Sequence, residues 1–328
     1  MPHIAEQIRI RALRVDDFEA ITQIEIANFP DTPRSAEESR DKYQHFDTSR
    51  WAREWVAAED EAGRVVAYGS YRHVPRSFHP DKYHVYVAVH SSRHRQGIGT
   101  RLMRHLLGRL GERGATRVIS WAREDYSHST AFLRRFGFEE YARAFESRLP
   151  VEAADPRQFA QYTQRAADAG VVITTLQDEL ERVPHCLPAI YQAHTAMDIS
   201  EPQDDPDLPT PLAYELWLRD DVRHPRVLLD GYFLARCGDL YVGESALKRT
   251  DADPRALRQQ LTAVLPEFRG RGIATALKLH TVDYAREHGY REIRTFNSSR
   301  NAPMLAINTK LGFVRQPAWI DFIRVERA

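Results

Sequence analysis

The chain repeats itself at long range. Laid on itself without a gap, Val87-Ala88-Val89 and Gly97-Ile98-Gly99-Thr100 fall on Thr262-Ala263-Val264 and Gly272-Ile273-Ala274-Thr275, a constant offset of 175. The same register carries Leu102 onto Leu277, Gly114 onto Gly289 and Gly137-Phe138 onto Gly312-Phe313. Solenoid units run to about 20–50 residues, so a period this long marks a duplicated domain. The 328 residues suffice for two domains of about 150, each with its own core. We read residues 1–150 as the first, 151–169 as a connecting segment and 170–328 as the second.

Each half spells the same order of elements. In the first, Ile8-Arg9-Ile10-Arg11 alternates like a strand, Ile21, Ile24 and Ile26 follow at helical spacing, and Trp55–Ala58 with Val65–Tyr71 reads as a hairpin. Tyr83–Val89 is the next strand, Leu102, Leu106, Leu107 and Leu110 line a helix, Gly111 or Gly114 ends it, and Arg117–Trp121 returns as a strand. The second half restarts with strand Val171–Thr175, helix Pro188–Thr195, and a hairpin of Gly231–Ala235 with Leu240–Leu247. Strands alternating with helices predict a mixed α/β sheet in each half.

Composition narrows the partner. The 46 basic residues balance 46 acidic ones, so no global field favours nucleic acid or an anionic membrane. No run approaches the ~20 apolar residues of a membrane span, and the amino terminus lacks a basic-then-apolar leader. The expectation is a cytoplasmic protein, monomer or homodimer, acting on a small molecule or a peptide. Cys186 and Cys237, the only cysteines, are expected to be reduced thiols.

The repeated strand, glycine turn and helix form an anion cradle. In Val264-Leu265-Pro266-Glu267-Phe268-Arg269-Gly270-Arg271-Gly272-Ile273-Ala274-Thr275, glycines allow close backbone approach, and the first helical N–H groups have no partner within the helix. The nucleotide P-loop needs a Lys-Ser or Lys-Thr pair after its last glycine, and the dinucleotide fingerprint needs three spaced glycines. Neither is present.

At these residues the sequence resembles the GCN5-related N-acetyltransferase (GNAT) superfamily, whose acetyl-CoA motif is Arg/Gln-x-x-Gly-x-Gly/Ala after a central strand. Arg269 to Ala274 matches it, and Asn301 through Asn308 to Leu311-Gly312-Phe313 matches the family's later Asn and Leu-Gly-Phe motif. The tandem form is similar in architecture to mycothiol synthase and related bacterial two-domain acetyltransferases. The resemblance implies two tandem acyl-CoA N-acyltransferase domains with acetyl-CoA as cosubstrate and no metal. It places the cofactor on Val264, Leu265, Arg269, Gly270, Arg271, Gly272, Ile273, Ala274, Thr275, Asn301 and Asn308. In the first copy the counterparts are Val87, Val89, Arg95, Gln96, Gly97, Gly99 and Thr100.

The copies differ. The first has His94 where the motif has Arg or Gln, and Tyr126 where the second has Asn301. At the station of the family's thiolate-protonating Tyr stand Leu133 and Asn308; Asn308 can still hydrogen-bond cofactor or water. The resemblance implies direct attack of a neutral amine on the thioester, with a backbone N–H near Val264 holding the oxyanion. An ammonium acceptor must first lose a proton, and Glu244, on the strand before the central one, is the candidate base. We expect catalysis in the second domain and a structural or regulatory first domain. The rival readings are a non-catalytic acyl-CoA sensor or scaffold, and two domains active on different amines.

Other features read as ordinary structure. His79, His84, His90 and His94 span a strand, a turn and a loop without a defined ligand geometry. The acidic segment with Asp198, Glu201, Asp204, Asp205 and Asp207 reads as solvated, and Tyr214, Trp217 and Trp319 as packing. Arg93, Arg95, Arg101 and Arg104 read as phosphate-facing or solvated, without the interleaved aromatics of a nucleic-acid site.

Overall fold

The computed structural model describes residues 7–326 apart from 33, 203–206 and 208. In chain order its elements begin with β1 (Arg9–Ala12), α1 (Phe18–Asn28), α2 (Ala36–Gln44), β2 (Arg53–Glu59), β3 (Val65–His73) and β4 (Lys82–Val89). Next come α3 (Ile98–Glu112), β5 (Arg117–Arg123), α4 (Ser127–Arg135), β6 (Glu139–Pro150) and α5 (Ala160–Asp168). The second repeat supplies β7 (Val171–Thr175), α6 (Leu176–Arg182), α7 (Leu187–Ser200), α8 (Tyr214–Trp217), β8 (Val227–Cys237) and β9 (Leu240–Arg249). It ends with β10 (Ala256–Val264), α9 (Ile273–Glu287), β11 (Glu292–Ser298), α10 (Ala302–Lys310), β12 (Val314–Arg315) and β13 (Trp319–Val325). The chain is a mixed α/β protein, and the strands and helices expected in each half are present.

Contacts divide the chain into two compact units. The first is 1–141 with 251–253 and 320–328, and the second is 142–250 with 254–319. In the first unit strands run in the order β1, β2, β3, β4, β5, β13. One face is covered by α3, where Leu102, Leu106 and Leu110, spaced one turn apart, pack with Tyr71, Val85 and Phe322. The other face is covered by α1, with Phe18, Ile21 and Ile24 against Tyr68 and Ala88.

The second unit runs β6, β11, β10, β9, β8, β7, with β12 also on β6. On one face α9 and α5 bury Ala166, Leu277, Val282, Ile293 and Phe313. On the other, α6, α7 and α8 bury Leu176, Ile190, Trp217, Tyr232 and Leu234. Each unit is thus a sheet between two helical layers.

One element is exchanged. The repeat register lays Ala144–Pro150 of β6 on β13, yet β13 lies beside β5 in the first unit, and β6 pairs with β11 from Ala144↔Ser298 to Pro150↔Glu292 in the second. The units therefore cut the chain at Tyr141 and again at Trp319, a different partition from halves divided near residue 150. The connecting segment holds α5, whose Ala166 is buried in the second unit's core.

Candidate active site

The central strand of each unit parts from its neighbour. In the second unit β10 pairs in parallel with β11 only at Ala256–Arg258, although both strands continue. In the first, β4 pairs with β5 only at Lys82–His84. Leu265 N–H donates to Val242 O at 3.0 Å on the β9 side. Amides alternate along a strand, so Val264 N–H points the other way, toward the gap that β11 leaves. His90 N–H to Val66 O, 2.9 Å, sets Val89 in the same manner.

The turn that follows brings amides to the head of that gap. Gly270 and Gly272 take left-handed φ values of 77° and 84°, and the matching residues Arg95 and Gly97 take 62° and 80°. These values let the chain reverse from strand to helix while its N–H groups face one way. The first helical bond of α9 is Ala276 N–H to Gly272 O, 3.0 Å; Ile273, Ala274 and Thr275 N–H are not used by the helix. In α3 the equivalent bond is Arg101 N–H to Gly97 O, 3.0 Å, which leaves Ile98, Gly99 and Thr100. A Cβ at Gly270 would meet nothing within 4 Å, whereas one at Gly272 would come within 3.3 Å of Tyr162 O on α5.

The arginines of the second turn brace it. Arg269 Nε donates to Val264 O at 3.0 Å, its Nη2 donates to Ser200 Oγ at 2.7 Å, and Arg271 Nη2 donates to Glu267 O at 3.0 Å. In the first copy His94 Nε2 takes over the bond of Arg269, reaching Val89 O at 2.9 Å. Gln96 Oε1 is buried and has no hydrogen-bond partner among the described residues. Asn301 caps α10 by accepting from Met304 N–H at 3.1 Å and donates Nδ2 to Glu201 Oε2 at 2.6 Å. Burial raises the Glu201 carboxyl above its usual range, against the pull of Arg269 and the Asn301 bond. Asn308, on the next turns of α10, donates Nδ2 to Asn297 Oδ1 at 2.8 Å. Its own Oδ1 is buried without a partner among the described residues.

Glu244 lies one strand over, opposite Ala263, and is 1% exposed. Tyr232 OH donates to Oε2 at 2.6 Å, and His194 Nδ1 lies 2.6 Å from Oε1. Burial first, then the adjacent carboxylate, holds the Tyr232 phenol well above its ordinary pKa, so it remains a donor. In the first unit Tyr68 pairs with Ala88 as Glu244 pairs with Ala263. The carboxylate there is Glu25 of α1, which accepts from Tyr68 OH at 2.7 Å and Tyr86 OH at 2.8 Å.

Sequence reasoning overlooked His194, Tyr232 and Ser200, and read Glu201 as solvated, whereas burial and its bond to Asn301 tie it to the turn. His194 sits on the buried stripe of α7 with Ile190 and Met197, a spacing that offered the one available signal. Two histidines read from the sequence have local roles: His84 is buried beside Trp121, ring centroids 6.3 Å apart, and His90 caps the turn after β4. Arg93 pairs with Asp60 at 3.0 Å. Trp217 packs on Tyr191, Tyr214 and His194. Asp204 and Asp205 lie outside the described residues. Cys186 and Cys237 are free thiols.

Parted central strands, an amide-lined turn and two matched copies define a duplicated mixed α/β fold, and comparison with known proteins identifies its class as acetyltransferase. The profile of the acetyltransferase (GNAT) family matches residues 18–138 and 190–313. The chain belongs to that family as a tandem enzyme, an N-acetyltransferase. It is 25% identical over 271 residues to a mycothiol acetyltransferase of Amycolatopsis mediterranei, covering 80% of this chain and 81% of that one. A mycothiol acetyltransferase of Saccharomonospora viridis is 28% identical over 235 residues, 69% of each. Among solved structures, a GCN5-related N-acetyltransferase from Sphaerobacter thermophilus has a TM-score of 0.72 at 20% identity, covering 98% of this chain and 97% of its own. A tandem GNAT protein from the clavulanic acid biosynthesis pathway has 0.73 at 19%, covering 98% and 99%. Both show the fold. Among the described residues no helix is long and apolar enough to cross a membrane.

Proposed function

We propose that the chain moves the acetyl group of acetyl-CoA to a primary amine of a small molecule or peptide, with the chemistry in the second half. The carrying observation is Val264 N–H, which faces the gap between β10 and β11 one strand from the buried Glu244. The residues fit a pantetheine thioester. Open space flanks Gly270, unused amides line the start of α9, and the Asn308 Oδ1 acceptor awaits a donor. Acetyl-CoA supplies an activated acyl carbon. Ile273, Ala274 and Thr275 N–H bind its diphosphate with the helix dipole behind them, Val264 N–H stabilises negative charge on the acyl oxygen, and the Glu244 network receives the acceptor's proton.

The first half keeps the turn and the parted strands but has Tyr68 where the second has Glu244, which supports a structural or regulatory role for it. The named relatives make a small-molecule amine the first acceptor class to test.

The test is free-thiol release from acetyl-CoA with pools of amines, alongside calorimetry. Asp is among the few residues that visit a left-handed backbone and a Cβ at Gly270 meets nothing within 4 Å, so Gly270→Asp sets a carboxylate in the cradle. It should weaken acetyl-CoA binding by at least about tenfold, about 1.4 kcal/mol, and turnover should fall with it. A wild-type chain that neither releases thiol nor binds the cosubstrate would end this reading.

A further inference from the structure

We propose that His194 is the base that takes the acceptor's proton, and that Glu244 is a positioning residue acting through it. The inference rests on the acyl-transfer reading above and names the atom that reading leaves open, His194 Nε2.

Glu244 is poorly placed to accept a proton itself. Each carboxylate oxygen has a short partner, Nδ1 of His194 at 2.6 Å and the Tyr232 hydroxyl at 2.6 Å. The side chain is 1% exposed. A carboxylate is an acceptor only, so the nitrogen facing it is Nδ1–H, and a neutral imidazole protonated there presents its lone pair at Nε2. That atom is buried and has no partner among the described residues. A histidine serving only to fill a core has both nitrogens satisfied, since an orphaned buried acceptor costs free energy. Here one edge is fixed and the other left open, the arrangement in which a carboxylate sets the tautomer of a working imidazole.

The helix carrying this imidazole is tied to the cofactor turn. Ser200, at the end of α7, accepts from Arg269 at 2.7 Å, and Glu201 accepts from Asn301 at 2.6 Å. Movement of the turn is thereby coupled to the element that holds His194. The groups facing the ring are Glu244 from β9, Tyr232 from β8, Asp221 from the turn after α8, and Asp198 from α7 itself, with the Trp217 ring 5.8 Å away. Burial alone would lower the imidazole pKa. The attraction and hydrogen bond of Glu244 outweigh it and leave the group above its ordinary value.

The step balances. Nε2 takes one proton from the acceptor ammonium; the freed amine nitrogen bonds to the thioester carbon and the carbon–sulfur bond breaks. A second proton from that nitrogen leaves with the sulfur as free thiol, and the imidazolium returns the first to solvent.

The experiment uses the full chain with acetyl-CoA and an equimolar mixture of glucosamine, putrescine and the twenty common amino acids, following thiol release from pH 5.5 to 9.5. His194→Gln should lower the rate at pH 7 by about 100-fold with acetyl-CoA affinity unchanged, and the deficit should shrink where the amines lose protons unaided. Glu244→Gln should cost less and move the acid limb to lower pH, because the imidazole loses its carboxylate. A His194→Gln rate within about threefold of wild type, or an equal loss at every pH, overturns the assignment. Absence of both thiol release and acetyl-CoA binding by the wild type defeats the acyl-transfer reading instead. Should the variants not fold, long-range nitrogen NMR of the wild type, followed upward in pH until the imidazolium has lost a proton, decides: Nδ1 protonated and Nε2 bare is expected, and the opposite tautomer overturns it.

Discussion

Arg95 holds φ at 62° at the station where Gly270, in the second turn, holds 77°. One backbone geometry is thus met by an unstrained residue in one copy and by a strained one in the other. A left-handed L-residue costs roughly 1–2 kcal/mol, partly offset by the greater freedom glycine loses on folding. A Cβ at Gly270 meets nothing within 4 Å, so Gly270→Ala should destabilise by about 1 kcal/mol through conformation alone. Arg95→Gly should be neutral or stabilising by up to about 1 kcal/mol. Chemical denaturation reads both, and an Arg95→Gly variant clearly less stable than wild type would show that the arginine side chain carries structure of its own.

The exchanged strands predict that neither half folds alone. A fragment of residues 1–150 lacks Ile320 and Phe322, which are 3% and 0% exposed in the first unit's core. Losing two such side chains removes about 3–6 kcal/mol, a large part of a typical 5–15 kcal/mol stability, and uncovers the edge of β5. A fragment of residues 151–328 lacks Leu149, fully buried, and the β6 partner of β11. Each fragment made separately should show no cooperative near-ultraviolet melt. A cooperative transition in the 1–150 fragment close to that of the full chain would remove β13 from the first unit's fold.

Much of this was legible in the sequence. The turn, its glycines and the helix after it are local, so one window of residues specifies them. Identical spacing in two copies marked them as one repeated unit, and the bond made by both His94 and Arg269 shows why the first copy tolerates a histidine. The strand exchange was hidden because β6 and β13 have equivalent positions in the repeat, and sequence alone says nothing about which neighbour each one joins. The Glu244 network was half visible. The carboxylate stood out on a strand, but His194 is 50 residues away in the chain and resembled one more member of an apolar helical stripe.

Lys278 gives the fold a pH dependence that can be read in advance. Its side chain is buried on the α9 face of the second unit, with Nζ bonded to Gln259 Oε1 and lying 4.7 Å from the Phe313 ring centre. Burial lowers its pKa to about 7. The unfolded chain keeps an ordinary lysine near 10.5, so between those values the unfolded state binds a proton the folded state does not. Stability should therefore rise with pH across that window, by up to about 1.4 kcal/mol per pH unit. Below pH 7 both states are charged and the slope vanishes. Buried Tyr232, whose pKa is raised, acts in the opposite direction, but only once unfolded tyrosine ionises near 10. His194 and Cys186, whose pKa values are also raised, oppose the rise in wild type and lysine variant alike, so the difference between the denaturant midpoints of the two from pH 7 to 9 isolates the lysine. Lys278→Met should flatten the rise across this range, whatever its effect at pH 7 from leaving Gln259 Oε1 without its donor. Parallel profiles for wild type and variant would mean that Lys278 stays charged inside the fold.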